Sequence, residues 1–114
     1  LLGSSFTYWP EGNMQTITFF QRFEADILAG KKTITLRDQS ESHFKAGQIV
    51  HVANLETSHC YGQLEILSVA WVKFDELNQL HAEQENMTLD ELKPLIRDIY
   101  PEIEQLYQIN FKLL

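Results

Sequence analysis

The chain has one cysteine, three prolines and five glycines in 114 residues, and no apolar run approaches the roughly 20 residues that a membrane-crossing helix needs. Cys60 alone can form neither an internal disulfide nor a multi-thiolate zinc site, which makes a reducing compartment, the cytoplasm, its expected home. Positive charge is scarce as well: nine Lys and Arg stand against sixteen Asp and Glu, for a net charge of −7. The deficit is uneven. Residues 22–45 hold Arg22, Lys31, Lys32, Arg37 and Lys45 against Glu24, Asp26, Asp38 and Glu41, whereas Ala46 onward carries four basic and eleven acidic residues. That second half repels the phosphate backbone that dominates nucleic-acid affinity, so a long RNA or DNA footprint is disfavoured. A small substrate or a single nucleoside in a local basic pocket is not.

Absent motifs narrow the chemistry. There is no Gly-x-Gly-x-x-Gly, no P-loop and no Gly-x-Ser-x-Gly, which removes support for dinucleotide binding, phosphoryl transfer and the usual hydrolase elbow. His81-Ala82-Glu83 has the form of half a zinc-deaminase signature, but the Pro-Cys-x-x-Cys half is missing, and the other histidines, His43, His51 and His59, lack ligand spacing. No metal and no cofactor is implied.

What is present suits one globular domain, with 44% hydrophobic and 11% aromatic residues. Residues 1–13 show no sustained period and lack the charged start and cleavage site of a signal peptide; they are expected to be an N-terminal extension or a remnant of expression, with the domain at 14–114. From Thr18 the pattern reads as a short helix, with Thr18 and Gln21 at capping-box spacing and Gly30 as a left-handed stop. Thr33, Thr35 and Arg37 then alternate with Ile34 and Leu36, a strand signature that sends the apolar pair to the core. Asp38 to His43 is polar and loop-like. Strands are expected at about 48–55 and 61–71, the latter with a bulge near Ile66-Leu67-Ser68. A helix over about 75–85 precedes a second one opened by the Thr88/Glu91 capping box and stopped by Pro101, with Pro94 expected to bend it. Tyr107, Ile109, Phe111 and Leu113 mark a closing strand. The sum is an α+β domain, a small mixed β-barrel with helices packed on its openings.

Gly30-Lys31-Lys32-Thr33-Ile34-Thr35-Leu36-Arg37-Asp38 is the most informative stretch. Two lysines, two hydroxyls, a guanidinium and a carboxylate follow a helix stop, and a buried Lys loses basicity until it can act as a base near neutral pH. By composition alone a solvated turn is the commoner outcome for such a run. Glu83 to Thr88 likewise reads first as an acidic corner, though a carboxylate beneath an apolar wall there could donate a proton. Trp71 and Phe74 read first as core and second as base-stacking residues.

Ile17 to Phe23, Gly30 to Asp38, Ser42 to Lys45 and His81 to Thr88, taken together and in order, resemble the bacterial N(4)-acetylcytidine amidohydrolases. These are small members of the ASCH family, whose fold is a PUA-like barrel. The resemblance runs from about Met14 to Leu114. It implies removal of the acetyl group from N(4)-acetylcytidine, with Lys32 as proton acceptor, Thr35 as nucleophile and Glu85 as proton donor. Arg37, on the strand face of Thr35, is added as a candidate for substrate contact. The alternative is a non-catalytic RNA-binding module, since PUA-like barrels are also associated with RNA. One geometric demand follows: Lys32 and Thr35 have opposite parity in a regular strand, so either Lys32 precedes the strand or a bulge separates them.

Overall fold

The computed structural model describes residues 6–9 and 12–114, with side chains described from Gln15 onward. Six strands form a single mixed sheet: β1 (Phe6–Trp9), β2 (Gly12–Phe19), β3 (Ile34–Arg37), β4 (Ile49–Asn54), β5 (Cys60–Lys73) and β6 (Gln105–Leu113). Three helices accompany them, α1 (Glu24–Leu28), α2 (Gln79–Gln84) and α3 (Leu89–Ile99). The strand order is β1-β2-β4-β5-β6-β3, with β2 and β4 parallel and every other neighbouring pair antiparallel.

Parity sorts the core into two layers. On the inner face Ile17, Phe19, Val50, Val52, Leu64, Ile66, Ile109 and Phe111 interlock, with Ile27 of α1 packed among them. On the other face Ile34, Leu36 and Leu106 meet Leu77, Ala82, Leu92 and Ile96, which come from α2, α3 and the turn before them. The register of β5 against β6 shifts between Ile66 and Ser68, the site expected for a bulge. Its effect is visible in the residues: Leu64 and Ile66 face inward before it, and Val69 does so after it. One inserted residue therefore keeps apolar side chains inside as the strand curves.

The ladder does not close. No hydrogen-bonded pairing joins β2 to β3 among the described residues, and the gap between them is bridged by a side chain. Phe19 turns its carbonyl toward β4, accepting from Leu55 N–H at 2.8 Å. Alternation aims the Thr18 carbonyl the other way, across the seam, where Arg37 Nη2 donates to it at 2.7 Å. The barrel expected from the sequence is thus a curved mixed sheet with one seam held by a guanidinium.

Several expectations need correction. Thr18 is not a helix cap; it lies in β2, paired with Ala53, and the first helical turn begins at Gln21. Tertiary pairing with β4 overrides the local capping signal, because Ile17 and Phe19 gain full burial as strand residues. The helix expected over 75–85 is divided, with a 3₁₀ turn at Phe74–Glu76 and α2 starting after Asn78, whose side chain accepts from Leu80 N–H. The Thr88/Glu91 capping box opens α3 as expected, and α3 runs on through Pro94. Pro94 leaves the Asp90 carbonyl without its helical donor, but both residues are exposed, so water can replace the bond. The expected N-terminal extension is not among these corrections: Phe6–Trp9 pairs with β2, which begins at Gly12, and residues 1–5, 10 and 11 lie outside the described residues.

Gly30 ends α1 with φ of +74°. Its N–H donates to the Ile27 carbonyl at 3.1 Å, and Lys31 N–H donates to the Asp26 carbonyl at 2.9 Å, the bond pair of a Schellman stop. A Cβ added at Gly30 would meet nothing within 4 Å, so Gly30→Ala isolates the backbone cost. We expect a loss of about 1–2 kcal/mol in urea unfolding; an unchanged midpoint would show that the stop does not need a left-handed residue.

Candidate active site

The stop at Gly30 decides where Lys32 goes. Both Lys31 N–H and Lys32 N–H reach the Asp26 carbonyl, at 2.9 and 3.1 Å, which folds the chain back before β3 begins at Ile34. Lys31 stays exposed and Lys32 turns inward, with 4% of its surface accessible. The parity conflict between Lys32 and Thr35 is resolved by the first of the two routes: Lys32 precedes the strand. Thr33 N–H then donates to the Gln84 carbonyl at 2.8 Å. That bond ties the segment carrying Lys32 to the end of α2, where Glu85 is the C-cap.

Lys32 Nζ and the Glu85 carboxyl group consequently meet as a buried pair. Phe23 lies 4.8 Å and Phe19 5.6 Å from Lys32 Nζ, measured to the ring centroids. Burial holds the Lys32 pKa well below the ordinary lysine value, the Arg37 charge lowers it further, and Asp26 opposes both.

Thr35 and Arg37 project from the inner face of β3 into the seam. Arg37 is fully buried and its three nitrogens all donate at 2.7 Å: Nε to Thr35 Oγ1, Nη1 to Glu41 Oε1 and Nη2 to the Thr18 carbonyl. Its guanidinium also lies 4.7 Å from the Phe19 ring centroid. Because Thr35 Oγ1 accepts from Arg37, its own proton is left to point toward another acceptor.

Lys32, Thr35, Arg37 and Glu85, the four residues singled out in the sequence, line one cavity of about 40 Å³. Its apolar walls come from Phe19, Phe20 and Phe23 on one side and from α3 on the other, with Tyr100 at the end of that helix. Burial pushes the Tyr100 phenol up to about 12, so it stays protonated. The arrangement places a weakly basic amine, a hydroxyl receiving a charged donor and a buried carboxyl group around a space fit for a small apolar substituent. Among the described residues no group of three or more His, Cys, Asp or Glu is arranged to hold a metal ion.

Glu41 escaped the sequence reading, which treated Asp38 to His43 as a polar loop. It sits in a 3₁₀ turn at Gln39–Glu41 and is fully buried. The available signal was its i,i+4 spacing from Arg37. Trp71, read first as core, is 57% exposed on β5 and lies outside the cavity. Phe74 does pack against the outer core layer, with the Arg97 guanidinium 3.8 Å from its ring centroid.

No family model matches the chain. Individual relatives do. It is 57% identical over 98 residues to the N(4)-acetylcytidine amidohydrolase of Haemophilus influenzae, covering 86% of this chain and 94% of that one. The chain belongs to the N(4)-acetylcytidine amidohydrolase family. The Vibrio vulnificus protein of the same name is 59% identical over 96 residues, covering 84% of this chain and 92% of its own length. The ASCH domain of Lactobacillus crispatus superposes with a TM-score of 0.68 at 18% identity, over 78% of this chain and 68% of that one. The fold is therefore that of ASCH domains.

The burial of Arg37 depends on Glu41. Glu41→Gln keeps the volume and removes the carboxylate that is hydrogen-bonded to the guanidinium. Breaking one partner of a buried ion pair should cost about 3–5 kcal/mol in denaturant unfolding. A loss below about 1 kcal/mol would mean that solvent screens the pair as it does at a surface.

Proposed function

We propose that this chain hydrolyses N(4)-acetylcytidine to cytidine and acetate, with Thr35 as nucleophile, Lys32 as base and Glu85 as acid. The observation that carries the reading is the buried Lys32–Glu85 pair sharing one cavity with a Thr35 hydroxyl that accepts from Arg37. Burial and the Arg37 charge lower the Lys32 pKa and so favour its neutral amine, and we assign the proton that the pair shares to Glu85. Those are the protonation states that a base and an acid need before turnover.

In the first half-reaction Thr35 Oγ1 attacks the acetyl carbon as its proton passes to Lys32 Nζ. The new lysinium and the Arg37 charge beside it stabilise the tetrahedral oxyanion. Glu85 gives its proton to the exocyclic nitrogen, the C–N bond breaks, and cytidine leaves with the acetyl group on Thr35. In the second half-reaction water attacks the acyl carbon and Glu85 takes its proton. Lys32 then returns a proton to the departing Thr35 oxygen, releasing acetic acid and restoring the starting state.

Arg37 gains a second role beside the one drawn from the sequence. Three of its five N–H groups are engaged within the protein, so we assign it to orienting Thr35 and stabilising charge there as well as to the substrate contact expected from the sequence. No step proposed here is routed through a metal. The chemistry suits the cytoplasm, where the exposed, free Cys60 thiol stays reduced. No helix among the described residues is long and apolar enough to cross a membrane.

Incubation with N(4)-acetylcytidine, followed by chromatography for cytidine, tests the activity. Thr35→Ala, Lys32→Ala and Glu85→Gln should each lower kcat/KM by about 10²–10⁴ while far-ultraviolet circular dichroism stays unchanged. Near-parent turnover in any one removes that residue from the mechanism. No turnover by the folded parent would favour the RNA-binding alternative. The working base is neutral Lys32, so activity should fall as pH drops through its depressed pKa, with a midpoint well below 10.5. Asp26 raises that pKa, so Asp26→Asn should move the midpoint to lower pH; movement upward would contradict the assignment of Lys32 as the base.

A further inference from the structure

The catalytic cavity is too small for the substrate proposed for it. Its volume of about 40 Å³ accepts an acetyl group and little more, whereas small-molecule sites run from roughly 300 Å³ upward. Phe23 and Leu95, which wall this cavity, also wall a second and more open one of about 280 Å³. The two cavities therefore lie side by side, with Phe23 and Leu95 common to both.

The outer cavity has a different chemistry. Apart from Phe23, Met87 and Leu95, its lining is Arg22, Asp26, Asn86 and Glu91. Two carboxylates and an amide oxygen supply acceptors, and the hydroxyls of a pentose are the donors that match them. The groups are held in place. Arg22 lies 4.8 Å from the Phe23 ring centroid. Glu91 Oε1 accepts from Thr88 N–H at 2.9 Å and Thr88 Oγ1 at 3.1 Å, which fixes the carboxylate while engaging one of its oxygens. Asn86 adopts φ of +60° directly after Glu85, so the turn that delivers the proposed acid to the inner cavity also delivers an amide to the outer one. A 5′-phosphate would face Asp26 and Glu91 against the single guanidinium of Arg22, an unfavourable balance.

We infer that the cavity bounded by Arg22, Asp26, Asn86 and Glu91 is a sugar subsite that selects a free nucleoside over the bare base and over its 5′-phosphate. This rests on the amidohydrolase reading above. The sugar hydroxyls lie against Asp26, Asn86 and Glu91, the pyrimidine passes between Phe23 and Leu95, and the acetylated amine reaches Lys32, Thr35 and Glu85.

The test compares N(4)-acetylcytidine with N(4)-acetylcytosine, which lacks the sugar, in the parent and in Glu91→Gln and Asp26→Asn. Hydrogen bonds to charged groups predict a loss of about tenfold to a hundredfold in kcat/KM for the nucleoside, with much smaller change for the base. The ratio between substrates cancels any effect of Asp26 on Lys32. Equal losses on both substrates, or no loss on either, would overturn the subsite. Binding of cytidine and cytosine to the parent, measured by calorimetry, keeps the two readings apart. Tighter binding of cytidine supports the subsite even if hydrolysis fails, and equal binding overturns it even if hydrolysis succeeds. The 5′-phosphate of N(4)-acetylcytidine should be a poorer substrate than the nucleoside, and Glu91→Gln should narrow that gap; a phosphate that reacts as well as the nucleoside in the parent would overturn the selection.

Discussion

Arg37 carries a charge that it cannot give up, and Lys32 carries one that it can. Guanidinium stays protonated at any pH a protein survives, so burying Arg37 obliges the fold to bury a carboxylate with it, and Glu41 fills that role at 2.7 Å. Lysine can instead release its proton when burial and a neighbouring cation make the charged form costly. The permanent cation thus helps to set the state of the titratable one. This asymmetry turns two buried basic residues of one short segment into different instruments, a fixed charge that holds Thr35 and an amine poised to accept a proton.

The same residue explains why the barrel need not close. A ladder between β2 and β3 would fill the seam with backbone hydrogen bonds. Arg37 reaches the Thr18 carbonyl in its place and leaves room beside Thr35 for the cavity. Around that gap the structure is conventional: two apolar layers, a curved sheet whose bulge keeps Val69 inside, and a glycine stop that redirects one lysine. The polar groups buried at the seam contribute little net stability when paired and cost several kcal/mol when half the pair is lost.

Much of this was legible in the sequence because the signals were local. Gly30, the Thr88/Glu91 box, the alternation of Thr33 to Arg37 and the uneven run at Ile66-Leu67-Ser68 each depend on a few adjacent residues, and each maps onto a structural feature of the kind expected. β2 was not legible. Thr18 carries a genuine capping pattern, and only the distant pairing of Ile17 and Phe19 with Val52 and Asn54 outweighs it. Glu41 was hidden for a related reason: a carboxylate among Ser, Gln and His reads as solvated until its guanidinium partner is placed. Lys32 and Glu85 lie 53 residues apart, and the bond from Thr33 N–H to the Gln84 carbonyl helps to bring them into direct contact. Resemblance to a family pointed to both residues; the physical reason that they meet is three-dimensional.

The central claim is that Thr35 carries the acetyl group between the two halves of the reaction. Rapid mixing with N(4)-acetylcytidine, acid quench and peptide mass spectrometry tests it directly. The account predicts one acetyl group on the peptide containing Thr35 at early times, absent in Thr35→Ala. Steady turnover with no acetylated peptide at any time, and with water oxygen entering acetate in a single step, would contradict it.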